Sequence, residues 1–134
     1  MKKSILILVL AVLSFTVSYA QKKGVTVEVL YFKANLSCCK AATCNALEGK
    51  IKTLVEENYA GKNVVFTEVK LADEANAALV AKYSAESQTV VIVKKRKGKE
   101  TFINVSDIVS IYNTSKDEEM FNKDFKAKMD EVLN

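Results

Sequence analysis

The 134-residue chain contains no histidine, no proline and no tryptophan. Without histidine there can be no Ser/His/Asp relay and no imidazole metal ligand. Without proline, every tight loop must be turned by other residues. Nucleotide- and flavin-binding motifs are also missing, and a single small domain leaves little room for such a group, so no cofactor is expected. The formal net charge of +4 is too small a surplus to suggest nucleic acid, and it shrinks further if Lys2 and Lys3 leave with a leader. There is no internal repeat or low-complexity run. Beyond the first twenty residues, no stretch is apolar enough to cross a membrane.

The amino terminus holds the exception. Met1-Lys2-Lys3 is a positive start, Ile5 to Val17 is an apolar run interrupted by Ser14 and Thr16, and Ser18-Tyr19-Ala20 ends in small residues. This is the pattern of a signal peptide spanning residues 1–20, cleaved before Gln21, with an uncleaved anchor as the minor alternative. The expectation is export to the periplasm or beyond. A short linker, 21–24, then leads into one domain over 25–134.

Val25 to Phe32 is rich in β-branched and aromatic residues and reads as a strand buried on both faces. Cys44, Leu47, Ile51, Leu54 and Val55 recur at helical spacing to about Tyr59, with Gly61 placed for a left-handed cap. Val64 to Leu71 reads as a second strand. Asp73 can cap a short helix ending near Tyr83, with Ala75, Leu79 and Val80 facing inward. Thr89 to Val93 and Thr101 to Val105 are two more strands joined by a tight Lys97-Gly98 turn. The basic run Lys94-Lys95-Arg96-Lys97-Gly98-Lys99 reads as that solvated turn, with a patch for an anionic partner as the alternative. A short helix follows Ser106. The last helix is given a capping box, Ser115 with Glu118, and a buried face of Phe121, Phe125, Met129 and Val132. Tyr31, Phe32, Phe66 and Phe102 are expected in the core. The order β-α-β-α-β-β-α implies an α/β domain with a four-stranded mixed sheet flanked by helices, the plan of the thioredoxin-like fold.

All three cysteines fall within Leu36-Ser37-Cys38-Cys39-Lys40-Ala41-Ala42-Thr43-Cys44, where the first strand hands over to the first helix. A thiolate there is favoured by the helix dipole, by free backbone N–H groups and by Lys40. Cys38 and Cys39 are too close in sequence for an unstrained disulfide, so Cys44 is the better partner for either. If Cys39 to Cys44 were all helix, the rise alone would be about 7.5 Å, beyond normal disulfide reach. Two helix starts are open, an early one near Ser37 and a late one capped by Asn45 with Glu48. The thiol-exchange reading prefers the late start or a broken first turn. In that reading Cys38, Cys39 and Cys44 are the catalytic set, and a protein or small-molecule disulfide or thiol is the partner. The alternative makes the same three thiolates ligands for a soft ion such as As(III) or Cu(I). A third reading leaves a non-catalytic interaction module with Cys44 as a small core residue.

Val29-Leu30-Tyr31-Phe32, a cysteine seven residues after Tyr31, and Thr43-Cys44 running into Ala46-Leu47-Glu48 carry a resemblance. It continues through Val64-Val65-Phe66, Ala75-Asn76, Lys82-Tyr83, Lys97 to Glu100 and Phe121. On these residues the chain resembles small thioredoxin-like proteins of Bacteroidetes-type bacteria, the ArsF-type subunit family of nitrophenyl compound nitroreductase. The resemblance implies a Cys-x-x-Cys site, with Cys38 matching the first cysteine and Cys44 the second, three residues inserted between them, and Cys39 additional. It also implies the thioredoxin fold, in which a cis-proline stands beside the dithiol just before the third strand. Here Gln88-Thr89 occupies that place. The substitution weakens the general-reductase reading and favours metal capture. The nitroreductase activity itself has no supporting motif in this chain.

Overall fold

The computed structural model describes residues 24–35 and 39–134. The expected signal peptide, most of the linker, and Leu36 to Cys38 therefore lie outside the described residues, as does the Cys39 side chain.

β1 (Thr26–Lys33) is followed by α1 (Cys39–Asn58), β2 (Val64–Lys70), α2 (Ala77–Tyr83), β3 (Val90–Arg96), β4 (Lys99–Asn104), α3 (Ser106–Ser115) and α4 (Glu118–Leu133). The sheet order is β2-β1-β3-β4. β1 lies parallel to β2 and antiparallel to β3, and β3 is antiparallel to β4. The parallel pair needs a crossover, which α1 supplies; the last pair needs only a tight turn. Lys97 and Gly98 both have positive φ, 50° and 78°, the backbone of a type I′ hairpin.

β1 and β3 are interior strands, with apolar stretches over Val29 to Phe32 and Val90 to Val93. Val27, Val29, Tyr31, Val90 and Ile92 face one side, packed by Leu47, Ile51 and Val55 of α1, Val109 of α3 and Phe121, Phe125 and Met129 of α4. Leu30, Phe32, Val91 and Val93 face the other, covered by Leu79, Val80 and Tyr83 of α2. Alternate residues of one strand thus enter two cores, as the period of two requires. This mixed sheet with helices on both faces is a thioredoxin-like α/β fold.

Four local expectations need correction. α1 starts at Cys39, so the late start capped by Asn45 and Glu48 does not occur; Ala41 and Ala42 are strong helix formers, and Cys44 and Leu47 anchor the same face to the core. Asp117, not Ser115, caps α4: its carboxylate accepts from the Met120 amide at 2.9 Å, while Ser115 ends α3 and its hydroxyl accepts from the Asp117 amide. Ala75 is exposed because Glu74–Asn76 forms a 3₁₀ turn outside α2. Phe102 is 51% exposed, since it lies on the edge strand β4, which is exposed along most of its length, and its ring meets Tyr83 edge-on at 5.0 Å.

Candidate functional site

The carboxyl end of β1 is where a parallel pair and an antiparallel pair diverge, a place where α/β folds open a crevice. Three elements converge there: the start of α1, the loop before β3, and α3. Cys44 reaches this point from the second turn of α1. It is a free thiol on a residue only 3% exposed.

Its surroundings are not uniformly apolar. The Gln88 side-chain amide donates to the Cys44 sulfur at 3.2 Å, and its carbonyl oxygen accepts from the Asn113 amide at 2.8 Å. Asn113 on α3 therefore fixes which end of the Gln88 amide meets the sulfur. Gln88 has φ 67°, a left-handed conformation that costs a residue with a Cβ roughly 1–2 kcal/mol. The loop holds it there: the Gln88 amide donates to the Phe32 carbonyl at 2.8 Å, and the Phe32 amide donates to the Thr89 carbonyl at 2.9 Å. Positive φ at a bulky side chain beside a thiol is strain of the kind that folds store at sites.

On the other side, the Tyr31 hydroxyl donates to the Cys44 backbone carbonyl at 3.0 Å. Burial, with Cys44 and Glu48 close by, pushes the Tyr31 phenol well above its ordinary range. Beyond it, Lys33 bridges Glu48 at 2.6 Å and Glu68 at 3.4 Å. A hydrogen bond with Glu48, then the Lys33 ammonium, hold the Glu68 carboxyl below the usual range. Lys33 and Glu68 also line a cleft of about 600 Å³ with Asn35, Lys70 and Asp73, at the same end of the sheet.

The structure places the candidates unequally. Cys39 is the first residue of α1 and Cys44 lies five residues on, in one unbroken helix. Ideal helix geometry puts their Cα atoms about 8–9 Å apart on different faces. That exceeds the Cα span of a disulfide. The helix start favours a thiolate at its first turn, but Cys44 sits deeper, where the dipole has faded. Lys40 is exposed on the first turn. Among the described residues, no group of three His, Cys, Asp or Glu side chains could hold a metal ion. Sequence reasoning noted Gln88 only as the replacement of a proline, and did not single out Asn113 or the Tyr31 hydroxyl. No sequence pattern announces a left-handed glutamine.

The element order and strand directions give this chain a thioredoxin-like fold, with a buried cysteine near the start of its first helix. No protein-family model matches it, and no curated protein does. Among solved structures it is similar to a malarial protein, at 28% identity over 66% of this chain and 94% of that one, with a TM-score of 0.36. It is also similar to an uncharacterised thioredoxin-like protein from Clostridium perfringens, at 21% identity over 66% of this chain and 70% of that one, with a TM-score of 0.39. Superpositions at these scores carry nothing about function.

Proposed function

We propose that the chain is an exported thiol–disulfide exchange protein in which Cys38 attacks and Cys44 resolves. The observation that carries this reading is the Gln88 amide on the Cys44 sulfur at 3.2 Å. A donor aimed at sulfur steadies negative charge there, and its strained backbone argues for a role beyond filling space. A resolving thiol can be buried, because it has to meet only its neighbour's sulfur. The attacking thiol has to meet substrate.

In the reaction, the Cys38 thiolate attacks one sulfur of a substrate disulfide, and the other substrate sulfur leaves as thiolate and takes up a proton. Cys44, deprotonated, then attacks the Cys38 sulfur and closes a Cys38–Cys44 disulfide. The second substrate thiol is released. Two electrons pass from the dithiol to the substrate, which is reduced. The resemblance to the ArsF-type family supports Cys38 as the attacking thiol. Helix geometry weighs against Cys39 as the partner of Cys44. The two residues also lie on different faces of α1, which weighs against their serving one As(III) or Cu(I) ion together. Export is supported by the leader pattern of residues 1–20.

The test is a set of three single serine variants, reacted with a mixed-disulfide reporter and counted for free thiols. Cys44→Ser should trap the mixed disulfide, Cys38→Ser should abolish exchange, and Cys39→Ser should retain most of it. Three variants that all exchange like the parent would end the proposal. Loss of thiol reactivity on adding arsenite, relieved by any one of the three, would replace it with ion capture.

A further inference from the structure

The end of the sheet opposite the thiols carries charge that the fold leaves unbalanced. Lys94, Lys95, Arg96, Lys97 and Lys99 crowd the end of β3, the turn and the start of β4. The carboxylates bordering the hairpin are engaged: Glu28 binds Lys95 at 2.9 Å, Glu100 binds Lys82, and Glu131 binds Lys128 at 2.9 Å. Among the described residues, Lys94, Arg96, Lys97 and Lys99 take part in no ion pair.

The turn does not require this charge. A type I′ turn asks only for residues that accept positive φ, and lysine is not among the preferred ones. Protection of a free sheet edge by lysine explains Lys99 on β4. It does not explain Lys94, which is paired on both sides, by Val27 and by Thr101.

A second observation says what faces this end. Thr26 is the register partner of Lys95, and Gly24 and Thr26 border the same shallow cleft as Lys95, Arg96 and Gly98. The preceding residues therefore join the domain at the basic end. Before cleavage they include the apolar run Ile5 to Val17, and in the cleaved and uncleaved chain alike Lys22 and Lys23 stand directly before Gly24.

We infer that the hairpin end rests against an anionic phospholipid bilayer, with Lys94, Arg96, Lys97 and Lys99 meeting headgroup phosphates. β1 then holds the thiol end away from the surface by about 23 Å, the length of its seven steps. Juxtamembrane cations are attracted to such a surface within a Debye length. The inference rests on the export reading, because the leader brings the chain to a membrane. It is independent of the thiol chemistry.

Amine footprinting read by mass spectrometry tests it on the full chain. The protein is labelled on phosphatidylcholine vesicles and on vesicles with roughly a third phosphatidylglycerol. Leader insertion is offered equally by both. On the anionic vesicles Lys94, Lys97 and Lys99 should label about threefold or more slowly, and about 1 M salt should remove that protection. Lys40 and Lys123, exposed on α1 and α4, should label alike on both. Equal labelling of the hairpin on the two surfaces would overturn the inference, as would protection that includes Lys40 and Lys123. So would hairpin protection by a polyuridylate RNA with none by vesicles. Serine variants of the cysteines should leave the footprint unchanged, which separates this test from the one on exchange.

Discussion

Gln88 is the residue on which the proposed exchange turns. Gln88→Gly relieves the left-handed backbone but removes the donor on sulfur, so the two roles separate. The variant is expected to be as stable as the parent or more so in urea, yet to resolve mixed disulfides several-fold more slowly. A variant that keeps the parent's resolution rate would reduce Gln88 to a loop residue. Tyr31→Phe keeps the ring in the core and loses only the bond to the Cys44 carbonyl, and should cost about 0.5–1.5 kcal/mol in a denaturant titration. Tyr59 reports on alkali. Burial, with Asp130 nearby, pushes its phenol up to about 12. Its folded value lies above the unfolded one, so the neutral form stabilises the fold fully below about pH 10, and that contribution fades as pH climbs towards 12. Tyr59→Phe should flatten this part of the decline in stability with pH. Little of this was legible beforehand. The sequence marked three sulfurs, but side-chain amides turned by a strained loop and by a helix distant in sequence have no local signature.

The secondary elements were far more open to reading, because period and composition act locally. β1 and β3 show through Val29 to Phe32 and Val90 to Val93, continuous apolar runs rich in β-branched and aromatic residues of the kind that strands buried on both faces require. Lys97-Gly98 shows as a hairpin turn, and both residues take positive φ. The misreadings fall at element ends, where competing caps lie within a few residues of one another. Ser115 and Asp117 both precede α4, but Lys116 takes φ 57° and closes α3 there, which leaves Asp117 extended and free to cap. Asp117→Ala should therefore lose about 1 kcal/mol in thermal or urea unfolding, and Ser115→Ala only a few tenths. Similar losses for both would restore the serine as a cap. Asn45 and Glu48 had the spacing of a cap as well. What overrode them was the pull of Cys44 and Leu47 into the core, a tertiary effect invisible to a local motif.

At the scale of the whole molecule, the sheet is a wall between two cores, with most of the helical mass on one side. Phe125 and Met129 of α4 are fully buried in the larger core. Phe125→Ala should cost about 3–5 kcal/mol, a large share of what a domain of this size possesses, and is expected to leave the chain partly unfolded by circular dichroism at room temperature. Thr101→Ala, on the exposed edge strand, should change stability by less than about 0.5 kcal/mol. The sheet order also has a consequence in time. β1 is the first strand to emerge from a ribosome or a translocation pore, yet one of its two neighbours, β3, arrives only with Val90 to Arg96. Until then the hydrogen-bonding edge of β1 that awaits β3 has nothing to close it. A chain delivered from its amino end can therefore complete its central strand pairing only after Arg96 has arrived, with most of its length already made.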